Sequence, residues 1–152
     1  GPDYPIGLRY SQWKQQDFDA RLADSPQLLE QFLTPLADAG VDIFHCSTRR
    51  YWETEFKGSE LNLAGWTKKL TGKATMTVGS VGLNSDFIGA FVNESSDTKA
   101  INDLAARLDQ GEFDLIAVGR ALLQDPEWTN KVRNGLDDQL RAYDGDSLAT
   151  LS

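Results

Sequence analysis

The sequence predicts an α/β fold with a parallel sheet made of four βα units. Four short apolar runs, Ile6 to Arg9, Val41 to Cys46, Thr75 to Val78 and Leu115 to Val118, are each followed by a turn and a helix-like segment. Runs of this length bounded by turns read as strands buried on both faces. Their starts lie roughly 32 to 40 residues apart, the span of one strand, loop, helix and loop. The 152 residues fit one domain, residues 1–152, with Gly1-Pro2 readable as a tag scar or a native turn.

Composition narrows the function classes. Fifteen Lys and Arg against twenty-three Asp and Glu give a net charge of −8, which disfavours a nucleic-acid backbone or an anionic membrane as partner. Cys46 is the only cysteine, so neither an internal disulfide nor a Cys-rich zinc cluster is available, and a reducing cytoplasm is the expected compartment. No run approaches 18 apolar residues and the start lacks a basic region followed by an apolar one.

The first helix opens at Ser25-Pro26, an N-cap followed by Pro at N1, and carries Leu28, Leu29, Phe32, Leu33 and Leu36 at helical spacing before Gly40. Pro35 inside it predicts a kink or a local tightening rather than an end. A long polar and aromatic loop, Ser47 to Asn62, precedes a helix from Ala64 to Leu70 that ends at Gly72. The third helix, about Asp97 to Gln110, aligns Ile101, Leu104, Ala105 and Leu108 and stops at Gly111. After the fourth run come a helical turn from Ala121 to Gln124 and a helix started by Asp125-Pro126, with Trp128, Val132 and Leu136 on its inner side. The tail from Ala142 to Ser152 is polar and reads as loosely docked.

Two loops at the carboxyl ends of consecutive strands carry the informative residues: Gly79-Ser80-Val81-Gly82 and Gly119-Arg120. In parallel α/β barrels such loops bring amide groups to a phosphate, and an arginine adds a charged contact. The same glycines also suit plain βα turns, with Arg120 paired to a nearby acid. Arg9, at the end of the first run, either meets an electron-rich ring edge at the barrel mouth or forms a salt bridge with an acid such as Asp17. His45 and Cys46 are adjacent, so in a strand they face opposite sides and cannot form a nucleophile pair. No second ligand accompanies His45 at metal spacing, so no metal is expected. Tyr51, Trp52 and Phe56 either wall a flat ligand or a subunit, or bury their own loop.

Ile6-Gly7-Leu8-Arg9 with Ser11, Ala39-Gly40-Val41-Asp42, Val78-Gly79-Ser80-Val81-Gly82-Leu83, and Phe113 through Leu123 with Asp125-Pro126 and Trp128 resemble the carboxyl-terminal half of the Old Yellow Enzyme family. These are FMN-dependent NAD(P)H oxidoreductases built on a TIM barrel. The resemblance implies a parallel half barrel, repeats 5 to 8 of a (β/α)8 barrel. It implies that Arg9 contacts the N1 and O2 edge of the flavin and that Gly82, Gly119 and Arg120 hold the FMN phosphate. Gly79 and Ser80 then shape the adjoining turn. Ser47 falls where family members approach the cofactor, with Arg49 standing where a small residue is often found. Tyr51 and Trp52 would border the substrate or the barrel mouth.

The family's substrate-polarising pair and proton-donating Tyr belong to the amino-terminal half, so no catalytic residue is expected in this chain, which alone should not turn over. A complete barrel takes about 250 residues. The implied partners are the complementary amino-terminal half barrel or a second copy of the chain, and the competing reading is a non-catalytic, self-associating half barrel that at most binds a phosphate-bearing ligand.

Overall fold

The computed structural model describes residues 3–14, 16–83 and 98–148. Four parallel strands form one sheet in chain order: β1 (Gly7–Ser11), β2 (Ile43–Ser47), β3 (Ala74–Val78) and β4 (Leu115–Ile116). Between them run α1 (Pro26–Asp38), α2 (Leu63–Thr71) and α3 (Thr98–Asp109), followed by the short α4 (Arg120–Gln124) and α5 (Trp128–Arg133). This is the parallel α/β arrangement that the spacing of apolar runs predicts, and it agrees with the half barrel that the resemblance implies. Gly1-Pro2, Asp97 and the last residues of the tail lie outside the described residues.

The helix boundaries follow from local chemistry. The Ser25 hydroxyl accepts from the Leu28 amide at 3.3 Å, and Pro26 occupies the first turn, where its missing N–H costs nothing. The helix continues through Pro35 and ends at Ala39, with Gly40 at φ +108 behind it. Asn62 caps α2 by accepting from the Gly65 amide at 3.0 Å, and Gly72 closes it in the left-handed region at φ +66. Trp128, rather than Pro126, begins α5. The Asp125 carbonyl accepts from the Trp128 amide at 2.9 Å, and Gly135 at φ +66 stops the helix before Leu136. Leu136 therefore leaves the apolar face on which the sequence placed it.

The sheet is packed on one side only. Phe44, Cys46, Thr75 and Thr77 face the helices and are fully buried, joined by Leu29, Leu33 and Leu63. Each buried leucine contributes about 1.5–3 kcal/mol. The opposite residues form concave rows: Arg9 pairs in register with His45, His45 with Met76, and Met76 with Leu115. Arg9 is exposed, His45 and Met76 are half-buried, and Leu115 remains 43% exposed. β4 stops two residues earlier than predicted, although the Ala117 amide still reaches the Thr77 carbonyl at 2.9 Å.

The long loop after β2 is held as firmly as a regular element. Arg107 grips Glu112 through two hydrogen bonds, at 2.6 and 2.7 Å, and donates to the Tyr51 carbonyl at 3.1 Å. Asn62 donates to that same carbonyl at 2.9 Å. The tail is docked through residue 148 rather than loose, because Tyr143 is buried beneath the Arg120 guanidinium and the Asp144 amide donates to Gln124.

Candidate functional site

The carboxyl ends of β1 and β2 bring Arg9 and Ser47 together. One guanidinium nitrogen of Arg9 donates to Ser47 Oγ at 3.2 Å, and the Ser11 hydroxyl donates to the Ser47 carbonyl at 2.8 Å. Among the described residues no carboxylate lies within ion-pair distance of Arg9. Asp17, the acid considered from sequence, instead closes its own turn by accepting from the Asp19 and Ala20 amides. Arg9 thus holds a solvent-facing positive charge on the concave surface. Next to it, burial and then the Arg9 charge push the His45 imidazole below its ordinary pKa. Cys46 points the other way, and burial raises its thiol to about 12.

The turn after β3 is locked onto the loop after β2. Gly79 lies at φ +155 against Thr48, where any Cβ would collide with the Thr48 hydroxyl and carbonyl. The Gly79 carbonyl accepts from the Tyr51 amide at 3.1 Å, and Ser80, itself at φ +51, donates to the Arg49 carbonyl at 2.9 Å. The Leu83 amide closes a turn onto the Ser80 carbonyl at 3.1 Å, with Gly82 at φ +71. A Cβ on Gly82 would stand 3.0 Å from the Trp128 indole, so glycine lets this turn meet α5.

Gly119 precedes α4, and a Cβ there would meet nothing within 4 Å. Arg120 follows it, with its guanidinium carbon 5.6 Å from the Tyr143 ring centroid. A glycine beside a cation suits a phosphate, and the exposed Arg9 charge, paired by no carboxylate among the described residues, suits an electron-rich ring edge.

Tyr51 and Trp52 lie elsewhere. Tyr51 is 1% exposed and anchors its loop from within the core. Trp52 packs edge-on against Tyr51 and lines a cleft of about 760 Å³ with Gly65, Lys68 and Arg107, on the helix side of the sheet. Phe56 packs on Trp66 of α2.

Two polar networks were not legible as such in the sequence. Gln12 donates to the Ala23 carbonyl and to Glu55 and accepts from the Ala23 amide, while Glu55 takes a 2.7 Å ion pair from Arg21. Burial raises the Glu55 pKa against the opposing pull of Arg21 and Gln12. Asp125, read from sequence only as a helix start, accepts from Lys131 at 2.7 Å and from the Glu127 and Arg141 amides.

No protein-family model matches the chain. A protein described as NADH oxidase, from Thermoanaerobacter brockii, is 28% identical over 149 residues, which take in 93% of this chain and 20% of that protein. Morphinone reductase, solved in complex with tetrahydroNAD, superposes with a TM-score of 0.62 at 18% identity, over 97% of this chain and 32% of that one. The old yellow enzyme homologue of Zymomonas mobilis gives a TM-score of 0.60 at 14% identity, over 93% and 34% of the two chains. The chain therefore spans about a third of the solved structures and a fifth of the curated relative. In fold it resembles one part of an old yellow enzyme-type barrel.

Proposed function

We propose that this chain supplies the flavin-holding side of an FMN-dependent NAD(P)H oxidoreductase of ene-reductase type. The observation that carries the reading is Arg9, an exposed guanidinium beside Ser47 on the concave face, with no acid of the described residues to neutralise it. Bound there, FMN would pass a hydride from NAD(P)H to an activated C=C bond. Arg9 would stabilise negative charge on the flavin edge, and Ser47 would orient Arg9 through their hydrogen bond. Gly82, Gly119 and Arg120 would hold the phosphate, with Gly79 and Ser80 fixing the turn that presents Gly82. The complementary half of the barrel would bring the groups that act on substrate.

FMN titration followed by visible absorbance and flavin fluorescence tests this. Arg120→Ala should weaken binding by about 1.5–3 kcal/mol, the range for hydrogen bonds to charged groups, or roughly 10- to 100-fold. Unchanged affinity removes Arg120 from the site, and a chain that takes up no flavin overturns the reading.

The exposure of Ile6 at 52% and Leu115 at 43%, at the two edges of the sheet, favours a second reading. The chain would then be a non-catalytic half barrel that closes against a second copy. Association in sedimentation velocity, without flavin uptake, is its signature.

A further inference from the structure

The polar tail is stitched to the same short stretch of chain that Arg120 opens. Lys131 donates to the Gln139 carbonyl at 3.0 Å, the Arg141 amide to Asp125 at 3.3 Å, and the Asp144 amide to Gln124 at 3.1 Å. All three attachments therefore run from residues 139–144 of the tail to residues 124–131, directly behind Arg120. Between the last two lies Tyr143, which is 8% exposed, and the Arg120 guanidinium carbon stands over its ring, 5.6 Å from the centroid.

Any apolar side chain could fill that position. What an aromatic ring adds is a π face that attracts a cation. The attraction differs from an ion pair in one respect that matters here: a ring holds the guanidinium but leaves its positive charge intact for an anion. An arginine on a flexible stem loses rotamer freedom when it closes on a phosphate, and a contact that already restrains it removes part of that cost from binding. Arg120 is half-buried and restrained in this way before any ligand arrives.

We propose that Tyr143 is a positioning residue for the phosphate contact: its ring holds Arg120 ready for a phosphate monoester, and the tail from Gln139 to Asp144 is the strap that keeps the ring in place. The inference rests on the reading of Arg120 as a phosphate contact.

The full chain is titrated with FMN and with riboflavin, which share the ring system and differ in the phosphate, and the ratio of the two affinities is compared among variants. A change that only loosens the fold weakens both flavins alike and leaves the ratio where it was. Tyr143→Leu should lower the preference for FMN about 2- to 5-fold, the size of one exposed cation–π contact, and Tyr143→Phe should restore it. Gln124→Ala, which removes the acceptor of the Asp144 amide, should move the ratio in the same direction and decides the matter if Tyr143→Leu fails to fold. A parent chain that prefers FMN, with variants that keep its ratio or a loss that Tyr143→Phe does not restore, overturns the role of Tyr143 and leaves the flavin site standing. A parent that takes both flavins equally overturns the phosphate contact and this proposal with it, whereas one that takes neither overturns the oxidoreductase reading as well.

Discussion

Replacing Asp125 by Asn should destabilise the chain more than any other conservative change outside the apolar core. The carboxylate is 1% exposed and receives the Lys131 ammonium at 2.7 Å, the Glu127 amide at 3.2 Å and the Arg141 amide at 3.3 Å. Asparagine keeps one acceptor oxygen but turns an NH₂ group toward donors. Breaking a buried ion pair from one side costs about 3–5 kcal/mol. Lys131 remains 18% exposed and regains some hydration, so about 2–4 kcal/mol is expected. With a urea slope of about 1–3 kcal/mol/M, the midpoint should fall by roughly 1–2 M. The pH dependence adds a second readout. Burial opposes ionisation of Asp125, but the Lys131 charge and hydrogen bond and the Arg141 and Glu127 amides prevail and hold its pKa below the ordinary value. A depressed folded pKa gives stability that is present above the unfolded value of about 3.9 and is lost as pH falls through the lower folded value. Asp125→Asn should therefore flatten the acid limb of stability below about pH 4. A midpoint change under ~0.3 M, or an unaltered acid limb, would refute the reasoning.

Gly79→Ala should cost about 2 kcal/mol, because the new methyl meets Thr48 and the backbone there has φ +155; a melting temperature within a degree of the parent would show that the two loops are not locked together. Cys46 is fully buried with its thiol raised to about 12, so iodoacetamide labelling at pH 8 should track unfolding and accelerate with urea. Prompt stoichiometric labelling of the folded chain would contradict the packing of β2 on α2.

The strand order and the main helices were legible because buried parallel strands leave continuous apolar runs and because Ser25-Pro26, Gly40 and Gly72 punctuate helices in the expected way. Strand ends were less so. β1 extends to Ser11, since a polar residue at the rim pairs with Ser47 as readily as an apolar one would, whereas β4 stops at Ile116 on the sheet edge. Tyr51 was legible only as an open choice between a ligand wall and loop burial, because an aromatic on a long loop carries no mark of direction, and its burial follows from the distant Arg107 and Gly79. The Gln12–Glu55 contact was invisible for a similar reason. Its two residues lie 43 apart in sequence on the loops after β1 and β2, and only the parallel pairing of those strands makes them neighbours.

The two-sidedness of the sheet separates what sustains the chain from what the chain is for. Substitutions at Arg9, His45 or Met76 touch the wetter surface and should leave thermal resistance nearly untouched while altering recognition, whereas Phe44, Cys46 and Thr77 tolerate little because their neighbours have no room to move. A lineage could therefore rewrite the concave wall repeatedly, exploring new chemistry, without ever putting its scaffold at risk.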